Sequence, residues 1–154
     1  YLATSGVGTI GIVDGDTMTP KETPSKKVGR ERYAVYWEKA MDFYEAMVDA
    51  SQKKNWNGVG LSGFHACISA TDALLVKHSG VRSSSDAHQD PVGLLKSKLK
   101  HVDIEAAARR LGRILAEKNL IEYMDKSYTP EEASALKINV ERTLSTAPSD
   151  GKGP

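Results

Sequence analysis

The sequence predicts an all-α protein: an antiparallel, up-and-down bundle of four to five helices with a flexible N-terminal arm. Two observations support this prediction. From Arg32 onward, apolar residues recur every three or four positions, which is the spacing of one face of an α-helix. The predicted helices are also joined by short loops, which favour antiparallel neighbours. No strand is predicted anywhere in the chain, and 154 residues suffice for one core.

The chain divides into three regions by composition. Residues 1–31 are rich in Gly, Thr, Ser, Pro and Lys and lack a helical period, so we expect a flexible extension or a segment added at the gene boundary. Residues 32–147 form the predicted bundle, and residues 148–154 form a frayed tail. The arm contains GVGTIG, but no helix follows it, so a dinucleotide site is not expected there.

The first two helices are predicted from their apolar stripes. In residues 32–54 the stripe consists of Tyr33, Trp37, Ala40, Tyr44, Met47 and Val48. The stretch NWNGVG, residues 55–60, is expected to break the helix because it contains two glycines. A second helix then runs over residues 61–80 and ends at Gly80, with a stripe of Leu61, Phe64, Ile68 and Leu75.

Three further helices complete the bundle. The third covers residues 90–101, has Pro91 at or just before its first turn, and faces the core with Val92, Leu95 and Leu99. The fourth is expected to start at Asp103 as N-cap and to bury Ile104, Ala108, Leu111, Leu115, Ile121 and Met124. The fifth opens on a capping box of Thr129, Pro130 and Glu132 and buries Ala133, Leu136, Val140 and Leu144.

Composition excludes several classes of protein. The formal net charge of +1 gives no sign of a nucleic-acid or membrane partner, so any anion site must come from local clustering. Cys67 is the single cysteine, which rules out an internal disulfide and indicates a reduced, cytoplasmic setting. No apolar run approaches the roughly 18 residues of a membrane span. We therefore expect a soluble protein with no membrane association, metal or cofactor.

Three segments resemble HEPN-domain proteins: GFHACISATDALLVKHSG, RSSSDAH and ARRLGRILAEKNLIEYMDKSYTPEEASALKINVERTL. The resemblance covers roughly residues 32–145. It implies an all-α bundle, often dimeric, and in many members a metal-independent ribonuclease with an arginine and a histidine separated by four to six residues. Arg82 and His88 are separated by five. Ser83 stands where ribonuclease members commonly have Asn, Asp or His. Other members serve as binding modules beside nucleotidyltransferases.

The loop from residue 80 to residue 90 can be interpreted as a phosphate site. If Ser85 or Asp86 caps the third helix, His88 lies in its first turn, where unpaired N–H groups and the helix dipole attract anions. Arg82 supplies a planar guanidinium for phosphate, and His88 supplies a general acid or base. The predicted substrate-binding residues are Ser83, Ser85, Asp86 and Lys96. The alternative is an ordinary interhelical loop, in which Arg82 pairs with a carboxylate such as Asp86.

Other polar residues also have two interpretations. A run of cations forms either an approach surface for RNA or a solvated helix face: Lys96, Lys98, Lys100, His101, Arg109, Arg110 and Arg113. His65 is expected to be a hydrogen-bonded core or boundary residue, with a catalytic role as the alternative. Asp72 lies in an otherwise apolar helix, where an acid is costly unless it is paired or at an exposed edge, so we expect it either to orient a site residue or to bind a backbone donor. The aromatic stripe of the first helix is expected to be core.

The predicted function is a metal-independent RNA endonuclease that acts as a homodimer, such as the toxin of a toxin–antitoxin pair. Its partners would then be RNA and an antitoxin or a nucleotidyltransferase. The alternative is a non-catalytic HEPN-like module that binds a nucleotide or a partner protein. A further alternative is an antitoxin-like protein whose N-terminal arm folds on its partner.

Overall fold

The computed structural model describes residues 25–84, 90–99, 102–123 and 126–146 and confirms the all-α bundle. The order of elements is β1 (Ser25–Lys27), a 3₁₀ turn (Arg30–Arg32), α1 (Tyr33–Gln52), α2 (Trp56–Ser79), β2 (Val81–Ser83), α3 (Asp90–Lys98), α4 (Val102–Tyr123) and α5 (Pro130–Thr146). The predicted residues Ser85, Asp86 and His88 lie outside the described residues, as do residues 1–24 and the predicted tail.

Helix α2 is the centre of the bundle, and it contacts α1, α3, α4 and α5. The predicted break between α1 and α2 is present, but it covers residues 53–55, and α2 begins at Trp56 rather than at Leu61. Asn55 caps the helix by accepting a 3.0 Å hydrogen bond from the Gly58 backbone N–H. The glycine at 63 permits close packing, because a Cβ there would lie 3.0 Å from Leu136 and 3.1 Å from Met47.

The predicted core faces are confirmed for most of the helices. Trp37, Ala40, Met47, Phe64 and Leu75 are buried, and so are all four predicted residues of α5. Leu61 was predicted to be buried but is 52% exposed. Thirteen residues of α2 are buried, so its apolar positions extend around most of its circumference and no single stripe marks the buried side.

The start of α5 has the predicted capping box. The Thr129 hydroxyl accepts from the Glu132 backbone N–H at 3.1 Å, and the Glu132 carboxylate accepts from the Thr129 backbone N–H at 3.0 Å. The start of α4 differs from the prediction, because the helix begins at Val102 and Asp103 therefore lies inside its first turn. An acid is favourable near the positive end of the helix dipole both at the N-cap and in the first turn, so the sequence did not distinguish these two positions.

We expect Thr129→Ala to lower the free energy of unfolding by about 1 kcal/mol, because the Glu132 backbone N–H loses the hydroxyl that accepts its hydrogen bond. Urea denaturation followed by circular dichroism measures the change. Ser134→Ala is the matched control, since Ser134 is an exposed hydroxyl residue within the same helix. Equal stability of the two variants would show that the Thr129 hydroxyl contributes nothing to the free energy of unfolding.

Two short strands correct the prediction that the chain contains none. β1 pairs with β2 in antiparallel register, with Ser25 opposite Ser83, Lys26 opposite Arg82 and Lys27 opposite Val81. The Val28 N–H donates to the Gly80 carbonyl at 2.8 Å and extends this pairing. Residues 25–31, which were assigned to the flexible arm, therefore belong to the folded part. Their polar sequence, SKKVGRE, lacks the apolar alternation that marks a longer strand.

Helix α2 is also the only described helix long and apolar enough to cross a membrane by length and composition alone. No such segment was predicted from the sequence. Of the apolar stretch in this helix, 72% is buried inside the bundle, as is usual for the core helix of a soluble protein.

Candidate functional site

Arg82 lies in β2, directly after the helix that forms the core. Gly80 ends α2 in the left-handed conformation, with φ of 65°, so the chain turns sharply and enters β2 two residues before Ser83. The Arg82 Nη1 donates to the Ser83 carbonyl at 3.0 Å. Strand pairing and this hydrogen bond together hold the guanidinium at the mouth of the loop that leads to α3.

Asp72 of α2 lies beneath this strand and is the acid that accompanies Arg82. Its carboxylate accepts a hydrogen bond from the Ser83 backbone N–H, and the charges of Arg82 and Lys39 act on it. Burial raises the pKa of Asp72 to about 6, and these three groups only partly oppose that effect. The Oδ1 atom is buried without a hydrogen-bond partner. The hydrogen bond from the Ser83 N–H confirms the prediction that Asp72 binds a backbone donor, and an orienting role of Asp72 stays a prediction.

The other predicted site residues lie in different surroundings. Ser83 is only 8% exposed, so little of its side chain is available to a substrate. Lys96 is exposed on α3, with its Nζ 3.9 Å from the Glu105 carboxylate of α4. Ser85, Asp86 and His88 stay as predictions, since the structure does not describe them. The described part of the candidate site is therefore Arg82, whose guanidinium donates to the Ser83 carbonyl and interacts electrostatically with the Asp72 carboxylate.

A second group of polar residues lies between α1, α2 and α4. Lys118 has a side chain that is only 3% exposed, and its Nζ donates to the Glu122 carboxylate at 2.6 Å. His65 stacks on Phe43 with ring centroids 5.1 Å apart. Burial lowers the pKa of His65, and the Lys118 charge lowers it further. This group fits the expected boundary role of His65, with the ion pair satisfying a buried lysine.

The predicted approach surface includes a cation that is partly buried. Arg110 has a buried Nη1 atom without a hydrogen-bond partner. Burial lowers its pKa, and the charges of Arg142 and Arg113 lower it further. The Cys67 thiol, which is fully buried, has its pKa raised to about 12 by that burial. Such a thiol is a poor nucleophile, so Cys67 is a packing residue.

The aromatic residues of α1 do not form an open stacking surface. Trp37 is buried in the core. The Lys77 Nζ lies 4.6 Å from the centre of the Tyr33 ring. The Tyr44 hydroxyl donates to Glu141 at 2.6 Å, and this hydrogen bond raises the Tyr44 pKa to about 12. These contacts agree with the expectation that the stripe packs within the protein.

Sequence reasoning missed two features of the site. It did not assign the pairing of Lys26 with Arg82, because β1 is only three residues long. It also did not identify the buried Lys118, which lies in a helix with many other charged residues. The sequence feature that could have indicated a paired Lys118 is its position four residues before Glu122. The same spacing is common on exposed helix faces, so it did not indicate burial.

Comparisons with family models, curated proteins and solved structures give no match to this chain.

Proposed function

We propose that the chain is a metal-independent RNA endonuclease of the HEPN type, in which Arg82 binds the scissile phosphate and His88 transfers the proton. The observation that carries the proposal is the fixed position of Arg82. Arg82 directly follows the core helix, and three interactions act on it: the pairing of β1 with β2, the hydrogen bond to the Ser83 carbonyl, and the charge of Asp72. Perturbed carboxylates beside a cation are frequent at functional sites.

The chemistry assigned to Arg82 is electrostatic. A guanidinium carries five N–H donors, so one bond to the Ser83 carbonyl leaves donors for two phosphate oxygens. Asp72 is a positioning residue in this proposal, because it binds the Ser83 N–H and acts on Arg82 from the protein side. A donor fixed before the reaction stabilises the charge that develops on the phosphorane without reorganisation.

The role assigned to His88 is proton transfer. It would take the proton of the RNA 2′-hydroxyl or give one to the leaving oxygen, and a positioned acid or base contributes roughly 10² to 10⁴ in rate. One arginine and one histidine make a sparse site. We therefore propose a homodimer, in which two copies of the loop face each other across the two-fold axis.

The test is RNA degradation in EDTA by the full chain, compared with the double variant Arg82→Ala, His88→Ala. We expect the wild-type protein to degrade total RNA and the double variant to be inactive with unchanged helical content. His78→Ala is the control, because His78 is an exposed histidine four residues before Arg82. Absence of degradation by the wild-type protein would favour the alternative, a non-catalytic module that binds a nucleotide or a partner protein.

A further inference from the structure

The strand pairing brings five cations to one end of the bundle. We call this surface the basic ribbon: Lys26, Lys27, Arg30, Arg32 and Arg82. Lys26, Lys27 and Arg30 belong to residues 1–31, which were predicted to be a flexible arm, and Arg32 directly follows that segment. The pairing of β1 with β2 places that segment beside the candidate site.

The basic ribbon places like charges side by side, which is unfavourable unless an anion lies between them. Lys26 and Arg82 are direct cross-strand partners, so their side chains lie on the same face of the two-stranded sheet. Like charges at such positions destabilise a sheet. Arg30 also lies close, with its Cγ 3.6 Å from the position that a Cβ on Gly80 would occupy. Three cations thus surround the point where α2 passes into β2.

Four of the five cations of the basic ribbon have no ion pair within the described structure. Lys26, Lys27, Arg30 and Arg32 are exposed, and none forms an ion pair with another described residue. Glu31 is the one acid within residues 25–32, and Asp72 lies beneath Arg82. Four lysines elsewhere in the described residues are paired with carboxylates, in the pairs Lys96–Glu105, Lys118–Glu122, Lys126–Glu132 and Lys137–Glu141. Four cations without an ion pair to a described residue therefore lie within residues 26–32, the segment in which Lys26 is the cross-strand partner of Arg82.

We propose that the basic ribbon binds consecutive backbone phosphates of a single RNA strand and leads that strand to Arg82. This inference rests on the proposed ribonuclease function and adds where the substrate binds. Each strand of the ribbon has three residues and spans about 10 Å, which suits a few phosphates of one strand. Ammonium and guanidinium groups contact phosphates without reading bases, so the surface contributes affinity but no sequence preference.

The test measures binding of a fluorescent single-stranded RNA to the full chain carrying His88→Ala, at several salt concentrations. Lys26→Gln, Lys27→Gln should weaken binding on the order of tenfold and reduce the slope of log affinity against log salt by about 1.4, because two phosphate contacts are lost. Lys53→Gln, Lys54→Gln is the matched control, since both lysines are exposed at the other end of α1. Lys26→Arg, Lys27→Arg should retain both the affinity and the salt slope.

Equal affinity of the glutamine variant and the control would overturn the inference, as would equal binding of RNA and polyglutamate. Loss of affinity in Lys96→Gln, Lys98→Gln alone would place the RNA on α3 instead. Thermal unfolding checks that the glutamine variant keeps its fold. The arginine variant shows whether a loss of RNA affinity comes from the lost charge or from a change in the strands. Binding that depends on Lys26 and Lys27 without RNA cleavage by the wild-type protein would refute the ribonuclease proposal and retain the binding surface.

Discussion

His88→Ala is expected to lower the single-turnover rate of RNA cleavage in EDTA by roughly 10² to 10⁴, because the reaction loses its positioned acid or base. RNA affinity should change little, since this side chain contributes a proton-transfer group rather than a phosphate contact. The measurement is cleavage of a labelled RNA with protein in excess, at saturating and subsaturating concentrations. A rate constant equal to that of the wild-type protein would remove His88 from the mechanism.

Arg82 should behave differently from His88 in the same assay. Arg82→Ala removes a phosphate contact and a transition-state donor, so both the rate and the affinity should fall. Arg82→Lys keeps the charge but loses the planar fork, so it should recover affinity more than rate. If lysine restored the full rate, the guanidinium geometry would have no role, and Arg82 would act as a point charge in binding.

The sequence predicted those parts of the fold that depend on local or periodic signals. Thr129, Pro130 and Glu132 marked the start of α5 because each supplies a specific contact to the first helical turn. The core face of α5 followed from its spacing, since one side of that helix is buried and the other is exposed. Gly80 ends α2 because it adopts a positive φ at low cost.

The features that sequence did not predict depend on contacts between distant segments. Gly60 and Gly63 lie within α2 where Tyr128, Leu136 and Met47 approach closely, so these glycines serve packing rather than a turn, and nothing local in the sequence indicates those neighbours. The pairing of Lys26 with Arg82 joins residues far apart in sequence through strands of three residues. The type and spacing of Arg82 and Asp72 were visible in the sequence, whereas their shared contact with Ser83 was not.

Asp72→Asn is expected to stabilise the protein at neutral pH. The folded-state pKa of Asp72 is raised from 3.8 to about 6, so the folded protein binds the proton more tightly than the unfolded chain does. This contribution to stability is fully present below pH 3.8 and is lost as pH rises through about 6. The loss is on the order of 3 kcal/mol. Asparagine can still accept from the Ser83 N–H but carries no charge to desolvate, so the variant should avoid this loss.

Urea denaturation of the wild-type protein and of Asp72→Asn at pH 4, 5, 6 and 7 measures this difference. The stability advantage of the variant should grow between pH 4 and 6 and then level off, whereas Asp42→Asn, which changes an exposed acid of α1, should show no such growth. A variant less stable than the wild-type protein at pH 7 would mean that attraction to Arg82 outweighs desolvation.

The same substitution should slow RNA cleavage, because Arg82 loses the charge that positions it. A residue present only for stability would lower stability when replaced, and activity would fall only through unfolding. Asp72→Asn should instead give a more stable and less active protein, which is the pattern expected of a positioning residue held at a cost to the fold. Increased stability with unchanged cleavage would leave Asp72 without a role in the site, and the position of Arg82 would then depend on strand pairing alone.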